Sequence, residues 1–290
     1  MFYKLFSAIL PMLQLISPAK INLFLQILRR RVDGYHDLAS LFQTISLYDN
    51  LTFSFADKDE LTCSDACLPT DSSNLIIKAI DLFRRKTGLK FGLKVHLEKH
   101  IPYEAGLGGG SSNAATTLWA LNELHSRAYP LQDLMTWSAE IGSDITFFFS
   151  NGTAYCTGRG EIINSLNPLP RESLWIAKPA QGLSTPAVFK HLDLTQLSLH
   201  DPERTLIGFY NGRPLHYNDL EEPAFRIDPT LHHIKQQLIE MGFATVLMTG
   251  SGTAFYCLGS KTPYQIPGVT FYPATFIRRQ PGQWYSQISS

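Results

Sequence analysis

The sequence predicts an α+β protein of two domains. Three observations carry that expectation. Strand-like and helix-like segments follow one another in irregular order rather than as a βαβ repeat. A chain of 290 residues with 44% hydrophobic content can fill one large core or two smaller ones. An aperiodic stretch with two prolines, NSLNPLPRES at 164–173, divides the chain, so 1–165 and 166–290 are the expected domains.

KINLFLQIL (20–28) alternates and is apolar enough for a strand, and Asp33-Gly34 marks a tight turn after it. LFQTISLYDNLTFSF (41–55) reads as one or two strands, broken at Asp49-Asn50. SSNLIIKAIDLFRRKTG (72–88) is helical: Ser72 or Ser73 is the expected cap, Leu75, Ile76, Ala79, Ile80 and Phe83 share a face, and Gly88 ends it. LKVHLEKHIP is an alternating strand running into the glycine-rich segment 101–116, and SSNAATTLWALNEL after it is a helix capped by Ser111 or Ser112. LQDLMTWSAEIG predicts a further helix stopped by Gly142, and SDITFFFSNGTAYCTGRGE predicts two strands joined at Asn151-Gly152. Beyond 173 come a strand, a helix at DPTLHHIKQQLIEMG, and a strand–glycine turn–strand unit, FATVLMTGSGTAFYCLG.

Twenty-five basic residues balance 25 acidic ones, which gives no support for nucleic acid or an anionic membrane as the main partner. No run of about 18 uninterrupted apolar residues exists to span a bilayer. The N-terminus imitates a secretory signal, but Pro11 and Gln14 interrupt its apolar run and no A-x-A-like site follows, so a cytoplasmic location is expected. Cys63, Cys67, Cys156 and Cys257 are too few for a disulfide scaffold, and no second pair completes a zinc set with the C-x3-C spacing. His96 with His100, and His232 with His233, have no third ligand at metal spacing and read as surface histidines.

Between strand and helix, IPYEAGLGGGSSNAAT is placed to bind an anion. A helix N-terminus leaves about four N–H groups unpaired and carries roughly half a positive charge. Gly106, Gly108, Gly109 and Gly110 let backbone approach phosphate oxygens, and Ser111 and Ser112 add hydroxyls. A glycine-rich connection with no ligand is the competing explanation, at even odds for this segment alone. No lysine precedes the serines, so this is not a Walker loop, and its place in the chain disfavours a dinucleotide fold.

The run P-x-x-x-G-L-G-G-G-S-S at 102–112 resembles the ATP loop of the GHMP kinase superfamily. S-P-A-K-I-N-L at 17–23 and M-T-G-S-G-T-A-F at 248–255 are similar, in content and order, to that superfamily's first and third motifs. The resemblance spans roughly residues 16 to 285. D-G-Y-H-D-L and S-D-I-T-F-F narrow it to the branch acting on a cytidyl substrate in the non-mevalonate isoprenoid route. It implies a two-domain fold with the active site in the inter-domain cleft, ATP as donor to the 2-hydroxyl of a methylerythritol unit, and Mg2+ as counter-ion with unassigned ligands. A mevalonate- or homoserine-type kinase, or a non-catalytic nucleotide-binding relative, is the alternative.

Phosphoryl transfer needs positioning, charge neutralisation and a group to orient or deprotonate the attacking hydroxyl. Asp144, in a Gly-Ser-Asp turn, and Lys20, at the start of an apolar strand, would otherwise read as a turn residue and a snorkelling edge lysine. The resemblance makes Asp144 the catalytic carboxylate and Lys20 its cationic partner. It places ATP on Pro102, Tyr103, Glu104, Ala105, Gly106, Leu107, Gly108, Gly109, Gly110, Ser111 and Ser112. Asn22 shares a strand face with Lys20 and is expected to contact substrate. By resemblance Tyr35 stacks on the cytosine, His36 hydrogen-bonds its edge and Phe189 covers the other face; base stacking with edge contacts is the usual logic for an exposed base. Arg159, in a Gly-Arg-Gly-Glu turn, could also touch phosphate. Two departures from the family pattern stand out: Glu104 puts a carboxylate in the loop, expected to face solvent or a cation, and Thr146 replaces a proline after Asp144.

Overall fold

The computed structural model describes residues 12–197 and 199–286. Most of the signal-like segment, residues 1–11, lies outside the described residues. Strand β1 (Leu13–Arg30) begins seven residues before the predicted strand, so the Ser-Pro-Ala-Lys motif is internal to it. β1 pairs antiparallel along its length with β2 (His36–Ala56), one continuous strand rather than two. Asp49 does not break β2. It is fully buried and accepts from the backbone N–H of His100 and Ile101, both at 2.8 Å.

β3 (Glu60–Cys63) pairs parallel with β4 (Gly92–Glu98), and β4 and β5 (Thr153–Gly158) both lie antiparallel to β2, with β6 (Ile162–Ser165) outside β5. Helices α1 (Leu75–Thr87), α2 (Gly109–Leu124) and α3 (Leu131–Ser138) cover this six-stranded sheet. Asn74, not a serine, caps α1, accepting from Ile76 N at 2.9 Å through its side-chain oxygen, because the helix begins at Leu75. Gly88 closes α1 in the left-handed region, as expected. α3 stops at Ser138, short of Gly142. The expected strand at 145–149 is instead a 3-10 turn, Thr146–Phe149. Phe147, Phe148 and Phe149 are all buried, which a two-faced strand at a sheet margin could not achieve.

The second sheet has the order β10-β7-β9-β8, all antiparallel: β7 (Ser173–Pro179), β8 (Thr245–Met248), β9 (Phe255–Leu258) and β10 (Val269–Thr275). Helices α4 (Thr185–Lys190), α5 (Pro202–Tyr210), α6 (Glu221–Ile227) and α7 (Pro229–Glu240) accompany it. β1 is buried on both faces, contributing Ile21, Leu23 and Phe24 to the cluster with Ile176 and Tyr256, and Leu25 and Ile27 to the cluster with Phe225 and Phe255. It thereby joins the two sheets. The chain then returns: Ile277, Trp284 and Tyr285 pack with α1 and α2. No helix among the described residues is long and apolar enough to cross a membrane.

Candidate active site

The glycine loop and the late glycine turn are seated backbone against backbone. Gly106 has φ 76°, and a Cβ there would collide with the Thr249 carbonyl oxygen. Ala254 N–H donates to Ala105 O at 3.3 Å and stitches the two segments. Gly108, at φ 68°, is the N-cap of α2, so the serines expected to cap the helix lie inside it. Ser111 lines the cavity described below, whereas Ser112 is fully buried and accepts from the Ser17 hydroxyl at 2.8 Å, away from it. Ala105 and Leu107 are core residues, and only their backbone is available to a ligand. Pro102, Tyr103, Gly109 and Gly110 flank the loop outside the cavity wall, Tyr103 and Gly110 exposed. Glu104 is exposed too, with φ 53°. Its carboxylate lies against Gly182 and acts electrostatically on Lys178, so it faces a cation.

Beneath α2 sits a buried polar cluster that the sequence did not reveal. Asp49 accepts from Lys99 Nζ at 2.6 Å and Asn113 Nδ2 at 2.9 Å, and Asn113 also donates to Ser17 at 3.0 Å. Burial pulls the Lys99 pKa down, opposed by the Asp49 carboxylate. A Y-D-N triplet carries no local mark of burial; only strand pairing brings Asp49 under the helix.

Lys20 is buried, and its backbone N–H donates to Leu107 O at 2.9 Å, tying β1 to the glycine loop. Its Nζ donates to Asn22 Oδ1 at 2.8 Å, stands 3.4 Å from Asp144 Oδ2 and lies 4.5 Å from the Phe42 ring centre. Asn22 cannot turn freely: its Nδ2 donates to Ser40 at 2.9 Å, and Thr249 Oγ1 donates to its Oδ1 at 3.2 Å. Asp144 is held between Gly142, whose carbonyl accepts from Ile145 N–H, and the buried Phe147–Phe149 turn.

One cavity of about 1150 Å³ is lined by Lys20, Asn22, Asp144, Gly106, Gly108 and Ser111, together with Tyr35, His36 and Phe189. The aromatic end is arranged otherwise than expected. His36 stacks on Phe189, ring centres 5.2 Å apart, while Tyr35 projects outward with the Arg159 guanidinium 5.1 Å from its ring centre. Burial and the Arg30 cation lower the His36 pKa, so the ring is neutral near pH 7 and offers one donor and one acceptor.

The profile of the GHMP kinases N terminal domain matches residues 74–152, the segment holding α1, α2 and Asp144. Over 277 residues the chain is 53% identical to the 4-diphosphocytidyl-2-C-methyl-D-erythritol kinase of Protochlamydia amoebophila, covering 95% of this chain and 94% of that one. The chain belongs to the 4-diphosphocytidyl-2-C-methyl-D-erythritol kinase family. The chloroplastic kinase of Arabidopsis thaliana is 45% identical, over 98% of this chain and 79% of its own length. A crystal structure of a 4-(cytidine 5'-diphospho)-2C-methyl-D-erythritol kinase superposes with a TM-score of 0.77 at 31% identity, over 91% of this chain and 99% of that one. A homoserine kinase from Cytophaga hutchinsonii reaches 0.69 at 14% identity, over 95% and 98% of the two chains, a likeness of fold. The α+β fold expected from the sequence is therefore that of the GHMP kinases, and the chain is an ATP-dependent small-molecule kinase.

Proposed function

We propose that this kinase transfers the γ-phosphoryl group of ATP to the 2-hydroxyl of 4-diphosphocytidyl-2-C-methyl-D-erythritol, a step of non-mevalonate isoprenoid precursor synthesis. The observation that carries the proposal is a single cavity joining a glycine loop at a helix N-terminus, a Lys20–Asp144 pair and a Tyr-His-Phe set. In this scheme 1–165 is the nucleotide-binding domain, and 166–290 brings Phe189 and the glycine turn 248–255 to the cleft.

The backbone N–H groups at the start of α2 would hold the ATP phosphates, and no acidic side chain occupies its first turn to compete with them. Asp144 would orient the substrate hydroxyl and accept its proton as the oxygen bonds to the γ-phosphorus and ADP leaves. Lys20, fixed by Asn22, would offset negative charge at the attacking oxygen. His36 would read the cytosine edge, and Tyr35 and Phe189 would bound its ring. Among the described residues no group of three or more His, Cys, Asp or Glu side chains is arranged to hold a metal. Mg2+ would travel on the ATP phosphates, with the Ser111 hydroxyl on the cavity wall as the available protein oxygen donor. It would supply neutralisation of phosphate charge. We place the reaction in the cytoplasm; the four cysteines are all free thiols, which suits a reducing compartment.

ADP release with Mg-ATP and the cytidyl substrate tests the proposal directly. Turnover is expected with that substrate and not with mevalonate or homoserine; the reverse pattern would sink it.

A further inference from the structure

The substrate proposed above carries a diphosphate between its cytosine and its acceptor hydroxyl. If the base lies at Tyr35, His36 and Phe189 and the hydroxyl at Asp144, two negative charges must cross the stretch between them. Lys20 is already committed to Asn22 and Asp144. Of the other cations on the wall, Arg30 acts on His36 and Lys190 follows Phe189, so both belong to the aromatic end.

Arg159 is placed differently. It sits in the turn between β5 and β6, and its guanidinium lies over the Tyr35 ring, 5.1 Å from the centre. Its neighbour Gly160 faces Asp144: a Cβ there would stand 3.3 Å from Asp144 Oδ1. The turn that carries Arg159 and Gly160 therefore reaches both ends of the substrate site. Glu161 holds the turn by accepting from Arg159 N–H at 2.6 Å, but its carboxylate stands 3.7 Å from Arg159 Nε, too far for a hydrogen bond. No side-chain hydrogen bond from Arg159 to a protein acceptor is present among the described residues. A half-exposed planar guanidinium beside an aromatic ring is suited to grip two phosphate oxygens at once.

We propose that Arg159 is the residue that recognises the substrate's diphosphate, and so selects a cytidine diphosphate-linked alcohol over an uncharged cytidine compound. The assignment rests on the cytidyl reading of the site. The Asp33 and Glu161 carboxylates lie within electrostatic reach of the guanidinium, and neither takes a hydrogen bond from it, so its donors are free for phosphate oxygens.

Calorimetric binding of cytidine and of cytidine diphosphate to the full chain, with the nucleotide loop saturated by ADP, tests it. In Arg159→Gln the preference for the diphosphate over cytidine should fall about tenfold or more, the worth of one charge-assisted contact, while cytidine binding changes less than about threefold. Arg159→Lys should recover part of the preference, since it keeps the charge but not the planar fork. In turnover the KM for the cytidyl substrate should rise with kcat nearly unchanged. A preference unchanged in Arg159→Gln, including equal weakening of both ligands through loss of the Tyr35 contact, would overturn the assignment alone. A wild-type chain binding neither ligand would overturn the cytidyl reading and this proposal together.

Discussion

Asp144 and Lys20 are 124 positions apart in sequence and 3.4 Å apart in space. In the proposed chemistry only Asp144 takes the hydroxyl proton, so Asp144→Asn should lower kcat by about 10²- to 10⁴-fold with ATP binding little changed, measured by ADP release and nucleotide titration. Glu104 is the opposite case. Its carboxylate turns toward Gly182 and Lys178 rather than toward the phosphate cradle, so Glu104→Gln should move the KM for ATP by less than about threefold, the worth of an exposed charge. His36 adds a pH expectation. Its lowered pKa keeps the ring neutral through the ordinary histidine range, so KM for the cytidyl substrate should stay flat as pH falls past about 6.5 and rise only in more acidic solution. The identities of these side chains stand in short motifs; that Thr249 steadies Asn22, and Asn22 Lys20, does not.

At the scale of elements, most strands and helices follow from periodicity, and the boundaries differ from it by a few residues. Asn74 caps α1 because the helix begins at Leu75, and Gly108 is the N-cap of α2 because that helix begins at Gly109 and already includes Ser111 and Ser112. The Phe147–Phe149 run reads as a strand on composition but folds as a 3-10 turn, since buried partners such as Phe42 and Trp284 surround it. The glycine loop is the element most dependent on another. Gly106→Ala would force the loop off the Thr249 carbonyl in a left-handed conformation, a loss of about 2–3 kcal/mol. Thermal unfolding with and without Mg-ATP should show a lowered midpoint and little rescue by nucleotide.

Across the whole molecule, a buried arginine and a partly buried histidine hold distant segments together. Arg279 donates to the carbonyls of Phe149, Ser150 and Gln283, fastening the returning tail to the floor under Asp144. Arg279→Ala would leave buried carbonyls unpaired and is expected to cost about 3 kcal/mol or more, read from denaturant unfolding. His216 joins the two sheets: its Nδ1 lies 3.1 Å from Leu23 O on β1 and 2.9 Å from the Tyr256 hydroxyl on β9. Burial lowers its pKa to about 4 from 6.5. The unfolded chain therefore binds the extra proton first, and stability present above about pH 6.5 is lost as pH falls toward 4. The drop is at most about 3 kcal/mol, and His216→Asn should flatten it.

By itself the sequence determined the class of fold, because strand and helix periods are local rules. Glycine before a helix made a phosphate cradle one of two readings, and only the resemblance of short motifs around Lys20 and Asp144 to a known family singled out the proposed reacting pair. Only the tertiary structure decided where those groups meet. The Asp49–Lys99–Asn113 support under the loop, the tail fastened by Arg279 and the placement of Arg159 beside Tyr35 all arise from contacts between segments far apart in the chain. Pairing of β1 with β2 and docking of the two sheets set those distances, and no local pattern encodes them.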